Sequence, residues 1–173
     1  MSNLYELTST NEGFQFTNIY GDFYTVYITV YFLKNPKDND EDEYINTYMF
    51  GFNCKRTVKA YPNRFDEKTK RTILSVFKKF VSDYPNDAFV YLCDDKDGMA
   101  RNRRITFGSW FNETNMDHER QQSHVKYNGS TWYSCIIVKS ATFDRCLQFY
   151  FKRNTVRHSS ILAYIHLQHL LQN

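Results

Sequence analysis

Arginine and lysine gather at two places in the chain. Lys55, Arg56, Lys59 and Arg64 precede a helical pattern whose first turns add Lys68, Lys70 and Arg71, and Arg101, Arg103 and Arg104 open a second helical pattern. Guanidinium forks bind oxyanions bidentately, and Tyr61 and Tyr91 stand nearby in sequence. These groups therefore read as a surface for phosphate or for an acidic protein. His118-Glu119 has the composition of an acid–base pair, but no nucleophile accompanies it. His166 and His169, with His158 upstream, have no carboxylate or thiol at metal-ligand spacing and define no zinc site. Cys54, Cys93, Cys135 and Cys146 form no C-x-x-C pair. Each sits in or beside an apolar run, so all four are expected as reduced, buried thiols.

The elements that must carry these groups follow from periodicity. Residues 13–54 read as antiparallel strands: Phe14 and Phe16 alternate with polar neighbours, and Tyr20-Gly21-Asp22 turns the chain. Tyr24, Val26, Ile28, Val30 and Phe32 then line one face of a long run. Lys34 to Glu43 is a hydrophilic loop, and Gly51 interrupts the next strand as a bulge or close-approach site. Asp66 is the expected cap of a helix that Pro85 stops, with Ile73, Phe77, Phe80, Val81 and Tyr84 as its apolar stripe and Lys70 largely off it. Ala88 to Cys93 is a short apolar run that suits a central strand buried on both faces. A second helix runs from about Ala100 to Phe111. Residues 112–124 read as a polar loop, and Asn128-Gly129 makes a hairpin turn into the strand Thr131 to Lys139. Two further helices are expected over 142–173.

Composition sets the class. The chain of 173 residues suffices for one domain, and 42% hydrophobic with 24% charged residues excludes a wholly disordered chain. Aromatics reach 18%, against only 6 Gly and 3 Pro, which favours ring-packed strands and helices over linkers. Charge is uneven: residues 1–54 hold two lysines against eight acids, whereas residues 55–173 hold 20 basic groups against 11 acids. Either the two parts cover each other or the second part faces something acidic. Residues 1–12 do not read as a signal peptide, and the longest apolar stretch, Phe23 to Leu33, is too short to span a bilayer as a helix. A cytoplasmic protein without membrane contact is expected.

Two resemblances add to this reading. Met49-Phe50-Gly51-Phe52-Asn53-Cys54, Val90-Tyr91-Leu92-Cys93-Asp94, Asp97-Gly98, Ala100-Arg101-Asn102-Arg103 and Trp110-Phe111 resemble the pattern of an uncharacterised bacterial domain family, over roughly residues 10–155. That resemblance implies a bacterial setting and no mechanism. The order of strands, long helix, buried strand, second helix and closing hairpin is similar to the core of GNAT acyltransferases. It implies a V-shaped gap between central strands beside residues 55–66, and a glycine-rich loop whose amides hold the coenzyme A pyrophosphate. Here that stretch, Lys55 to Asp66, has no glycine, and Pro62 removes one donor. If Trp110-Phe111 stands where that family has Gly-Phe, its phenolic acid falls on Thr106 or Phe107, neither of which can protonate a thiolate. Arg153 and His158 also resemble the Arg-x4-His motif of HEPN ribonucleases, but that family is an all-helical bundle.

The expectation is one α+β domain over residues 1–173, a mixed, mostly antiparallel, GNAT-like sheet with three or four helices. Its parts are strands over 13–54, helix–strand–helix over 66–111, a hairpin over 124–139 and C-terminal helices over 142–173. Its function is expected to be that of a non-catalytic bacterial interaction module, of the kind found in toxin–antitoxin or phage-defence loci. It would bind an acidic protein or nucleic acid through Lys55, Arg56, Lys59, Arg64, Arg101, Arg103 and Arg104, without cofactor or metal, and its last helix would suit a homodimer seam. The alternatives are an N-acyltransferase using acetyl-CoA and a ribonuclease toxin using Arg153 and His158.

Overall fold

The structure is a computed structural model, and it describes residues 3–34, 44–57, 66–93, 98–127 and 129–142. Seven strands form one sheet in the order β1-β2-β3-β4-β5-β7-β6. The strands are β1 (Thr8–Thr10), β2 (Gly13–Thr17), β3 (Phe23–Lys34), β4 (Tyr44–Lys55), β5 (Ala88–Cys93), β6 (His118–Tyr127) and β7 (Ser130–Lys139). Helix α1 (Glu67–Asp83) links β4 to β5, and α2 (Ala100–Asn112) links β5 to β6. Every neighbouring pair is antiparallel except β4 and β5. The α+β class and the mixed, mostly antiparallel sheet are as expected.

Two α-helices stand among the described residues. The expected helices over 142–173, and with them the dimer seam, Cys146, Arg153, His158, His166 and His169, lie outside those residues except for a 3-10 turn over Ser140–Thr142.

Local chemistry accounts for the framework. The β2–β3 turn closes on the Asn18 side chain, whose Oδ1 accepts from the N–H groups of Tyr20 at 3.0 Å and Asp22 at 2.9 Å. Gly21 supplies the φ of +77° that the turn requires. The β3–β4 ladder runs without interruption from Phe23↔Lys55 to Lys34↔Tyr44, so Gly51 is no bulge. It is a close-approach site: a Cβ there would lie 2.5 Å from Cζ of Tyr27, its cross-strand partner.

Asp66 caps α1, its carboxylate accepting from the N–H and hydroxyl of Thr69, each at 2.7 Å. The stripe buries Ile73, Phe77 and Val81 as expected, but Tyr84 is exposed and Lys70 is buried, 8% accessible. Lys70 tolerates that position because its ammonium bonds Glu113 just after α2 and Glu67 one turn back. β5 is buried on both faces, as expected of a central strand. The β6–β7 hairpin begins at His118, inside the stretch expected as a loop, and Cys54 is exposed rather than buried.

Both helices pack on one face of the sheet. Phe77 of α1 meets the rings of Phe50 and Phe89 at 5.0 and 5.6 Å. Phe107 of α2 meets Phe52 and Tyr91 at 5.5 and 5.4 Å. Many of the described aromatic residues thus pack in two ring clusters between the helices and strands β2 to β5.

Candidate functional site

The parallel β4–β5 pair sets the geometry of the site. Their ladder comprises only Thr47↔Ala88, Tyr48↔Phe89 and Met49↔Val90. Beyond these pairs β4 continues to Lys55 and β5 to Cys93 without pairing to each other, so the sheet parts in its middle. The space behind the parting is a cavity of about 50 Å³ walled by Phe50, Phe52, Phe77, Tyr91, Phe107 and Trp110, among others. Phe52 stacks on Trp110 at 6.2 Å and an interplanar angle of 12°, and Phe107 stands edge-on to Tyr91. Rings fill the gap, and the remaining space is apolar and too small for a nucleotide or a pantetheine arm.

Because β4 and β5 are parallel neighbours, their exits lie at one end of the sheet. Lys55 ends β4 and Arg56 follows it, both exposed. Their backbone is anchored next door: the Thr57 N–H donates to Asp22 Oδ1 at 3.2 Å, and its hydroxyl donates to the Gly21 carbonyl. Lys59 and Arg64 lie outside the described residues. The connection from β5 delivers Arg101, exposed in the first turn of α2. Arg103 is half-buried. Arg104 reaches across to β6 and β7, donating from Nη1 to Gln122 Oε1 at 3.1 Å and lying 5.2 Å from the Tyr133 ring.

The two helix starts differ in charge. At α1 the Asp66 carboxylate also accepts from the Tyr5 hydroxyl at 3.3 Å, and Glu67 follows it. Burial pushes the Glu67 carboxyl up, but bonds from Lys70 and Arg71 outweigh that and hold it below its ordinary range. The positive end of α1 is thus answered by the chain's own acids. At α2 the cap position is Met99, which makes no side-chain cap, and no acid occupies the first turn. Arg101 and Arg103 stand there instead, adding positive charge to a positive helix end.

A second polar group lies between α2 and β6, where sequence reasoning saw only a loop. His118, Arg120 and Gln122 alternate along β6 on the face that α2 covers. Gln122 Nε2 donates to the Tyr91 hydroxyl at 3.4 Å. Burial first, then Cys135, raises that hydroxyl well above its ordinary range. Burial also pushes the Cys135 thiol up to about 11, against smaller downward effects of Tyr91 and Arg120. Burial lowers the His118 imidazole below 6.5, with Asp117 opposing and Lys139 assisting. A thiol held protonated in this way is a packing group rather than a nucleophile. Among the described residues no three His, Cys, Asp or Glu side chains could hold a metal ion, and no helix is long and apolar enough to cross a membrane.

A mixed seven-stranded sheet parted at its centre, with two helices on one face, is the framework of the chain. It belongs to a family of unknown function, DUF6169, whose model matches residues 65–162. No curated protein and no solved structure matches it.

Proposed function

We propose that the protein is a non-catalytic binding module on a GNAT-like core, taking an acidic partner at the end of the sheet where β4 and β5 emerge. The parted β4–β5 pair corresponds to the V-shaped gap that the GNAT resemblance implies, and its plugging by rings is what an unused cofactor cleft would look like. The observation that carries the reading is the start of α2: it has no acid in its first turn, carries Arg101 and Arg103, and lies at the sheet end where Lys55 and Arg56 are exposed. Backbone N–H groups, helix dipole and guanidinium forks there favour the same kind of group, a carboxylate or phosphate of a partner. Lys59, Arg64 and Arg104 extend the set in sequence. Reduced, buried Cys93 and Cys135 fit a cytoplasmic setting.

The test is fluorescence anisotropy with an acidic peptide and with a short RNA, between about 50 and about 300 mM salt. Affinity for one of them is expected to fall steeply with salt, and at least about tenfold when Lys55, Arg56 and Arg101 are all changed to Glu. Affinity indifferent to both would refute the reading. A saturable rise in melting temperature with millimolar acetyl-CoA would put the N-acyltransferase in its place.

A further inference from the structure

We propose that the seam between α2 and β6 is a binding site for a phosphoryl group, held by the guanidinium groups of Arg104 and Arg120. It is a different site from the sheet end proposed above and shares only Arg104 with it. Of the five buried side-chain nitrogens without a hydrogen-bond partner among the described residues, four belong to this seam: Arg104 Nε, Arg120 Nη1 and both ring nitrogens of His118. Buried polar atoms in folded proteins are nearly always satisfied, so the unpartnered Arg104 Nε and Arg120 Nη1 mark a place for a ligand.

The seam is built to receive the arginines. A Cβ on Gly108 would lie 2.5 Å from Arg120 Nη1, so only glycine lets that guanidinium rest against the helix. The Phe111 ring flanks it at 5.7 Å. Arg104, one turn earlier on α2, is oriented by Gln122 and Tyr133. Neither arginine makes a salt bridge with a carboxylate among the described residues, and Glu119 lies on the opposite face of β6 from Arg120. Arg120 and Gln122 are successive residues on one strand face, about 7 Å apart. Gln122 holds Arg104, so both forks belong to the seam between α2 and this face of β6. Two adjacent forks suit a tetrahedral dianion better than a single carboxylate. Both arginines are only half-buried, which leaves a route in from solvent.

Thermal unfolding and calorimetry of the full chain with inorganic phosphate test this, against chloride at matched ionic strength. A saturable rise of a few degrees is expected in wild type at about 10 mM phosphate. Arg120→Met is expected to melt at or above wild type without phosphate, because it removes a half-buried cation that has no carboxylate partner among the described residues, and to lose the phosphate response. Arg120→Lys keeps the charge without the fork, and should bind at least about tenfold more weakly. No phosphate response in wild type, or an equal response in Arg120→Lys, would overturn the proposal. A phosphoserine peptide binding more tightly than free phosphate would identify a phosphorylated protein as the source, and equal binding a small molecule. Charge reversal at Lys55, Arg56 and Arg101 should leave the phosphate response intact, which separates this site from the other.

Discussion

At the scale of single residues, the most constrained positions are those where a neighbour occupies the space of a missing side chain. Gly51 lies under the ring of Tyr27, with a would-be Cβ 2.5 Å from both Cζ and Oη. Gly51→Ala is expected to cost about 1–3 kcal/mol in chemical denaturation, because the ring must leave its place in the cross-strand pair. The cost should largely vanish in the background Tyr27→Ala; a cost unchanged there would show that the ring is not its cause. Gly51 could be read from sequence because a glycine inside an aromatic strand demands a reason. Gly108 could not, since a lone glycine in a helix reads only as weak propensity, and its partner Arg120 is twelve residues away. Lys70 deceived for a related reason: a lysine in a helix reads as surface until Glu113, beyond the next helix, is known to neutralise it.

At the scale of elements, α1 was legible because its determinants are local. Asp66 takes the cap, and its loss in Asp66→Ala is expected to lower stability by about 1–2 kcal/mol, seen as a lower urea midpoint with an unchanged slope. An unaltered midpoint would mean that Thr69 and Tyr5 find other partners at no cost. β5 was equally plain, being short and apolar. β6 was hidden: His118 to Lys126 contains one β-branched residue, Val125, and its polar side chains alternate without a hydrophobic face. Its strand state comes from its partner. A ten-residue β7 entered through a two-residue turn demands ten residues opposite, and this pairing constraint was the signal that could have found it. The basic sheet end was only half legible, since periodicity marks where the arginines fall but not that Arg104 turns inward to Gln122.

At the scale of the whole molecule, stability should show a plateau bounded on both sides by buried titrating groups. His118 has its folded pKa lowered, by burial first, so folding excludes a proton that the unfolded chain accepts. Its contribution is present above about pH 6.5 and fades as pH falls below it. Lys70 has its folded pKa raised, by its bond to Glu113 first and against the opposing effect of burial. Its contribution is full below about pH 10.4 and is lost as pH climbs through the raised value. Melting temperature measured from about pH 5 to about pH 11 should fall at both ends. The alkaline fall should shrink in Lys70→Met and the acid fall in His118→Gln; identical profiles in wild type and variants would remove these groups as the cause. The parted sheet has a mechanical consequence as well. Main-chain stitching between the first four strands and the last three ends at Met49 and Val90, so stiffness across the molecule's waist belongs to interlocked rings. The span shared with the family begins at residue 65, just past β4, and so meets the earlier strands across that cemented line rather than along a continuous weave. Exchanging one ring for a smaller side chain would thus let the halves flex without severing a single rung.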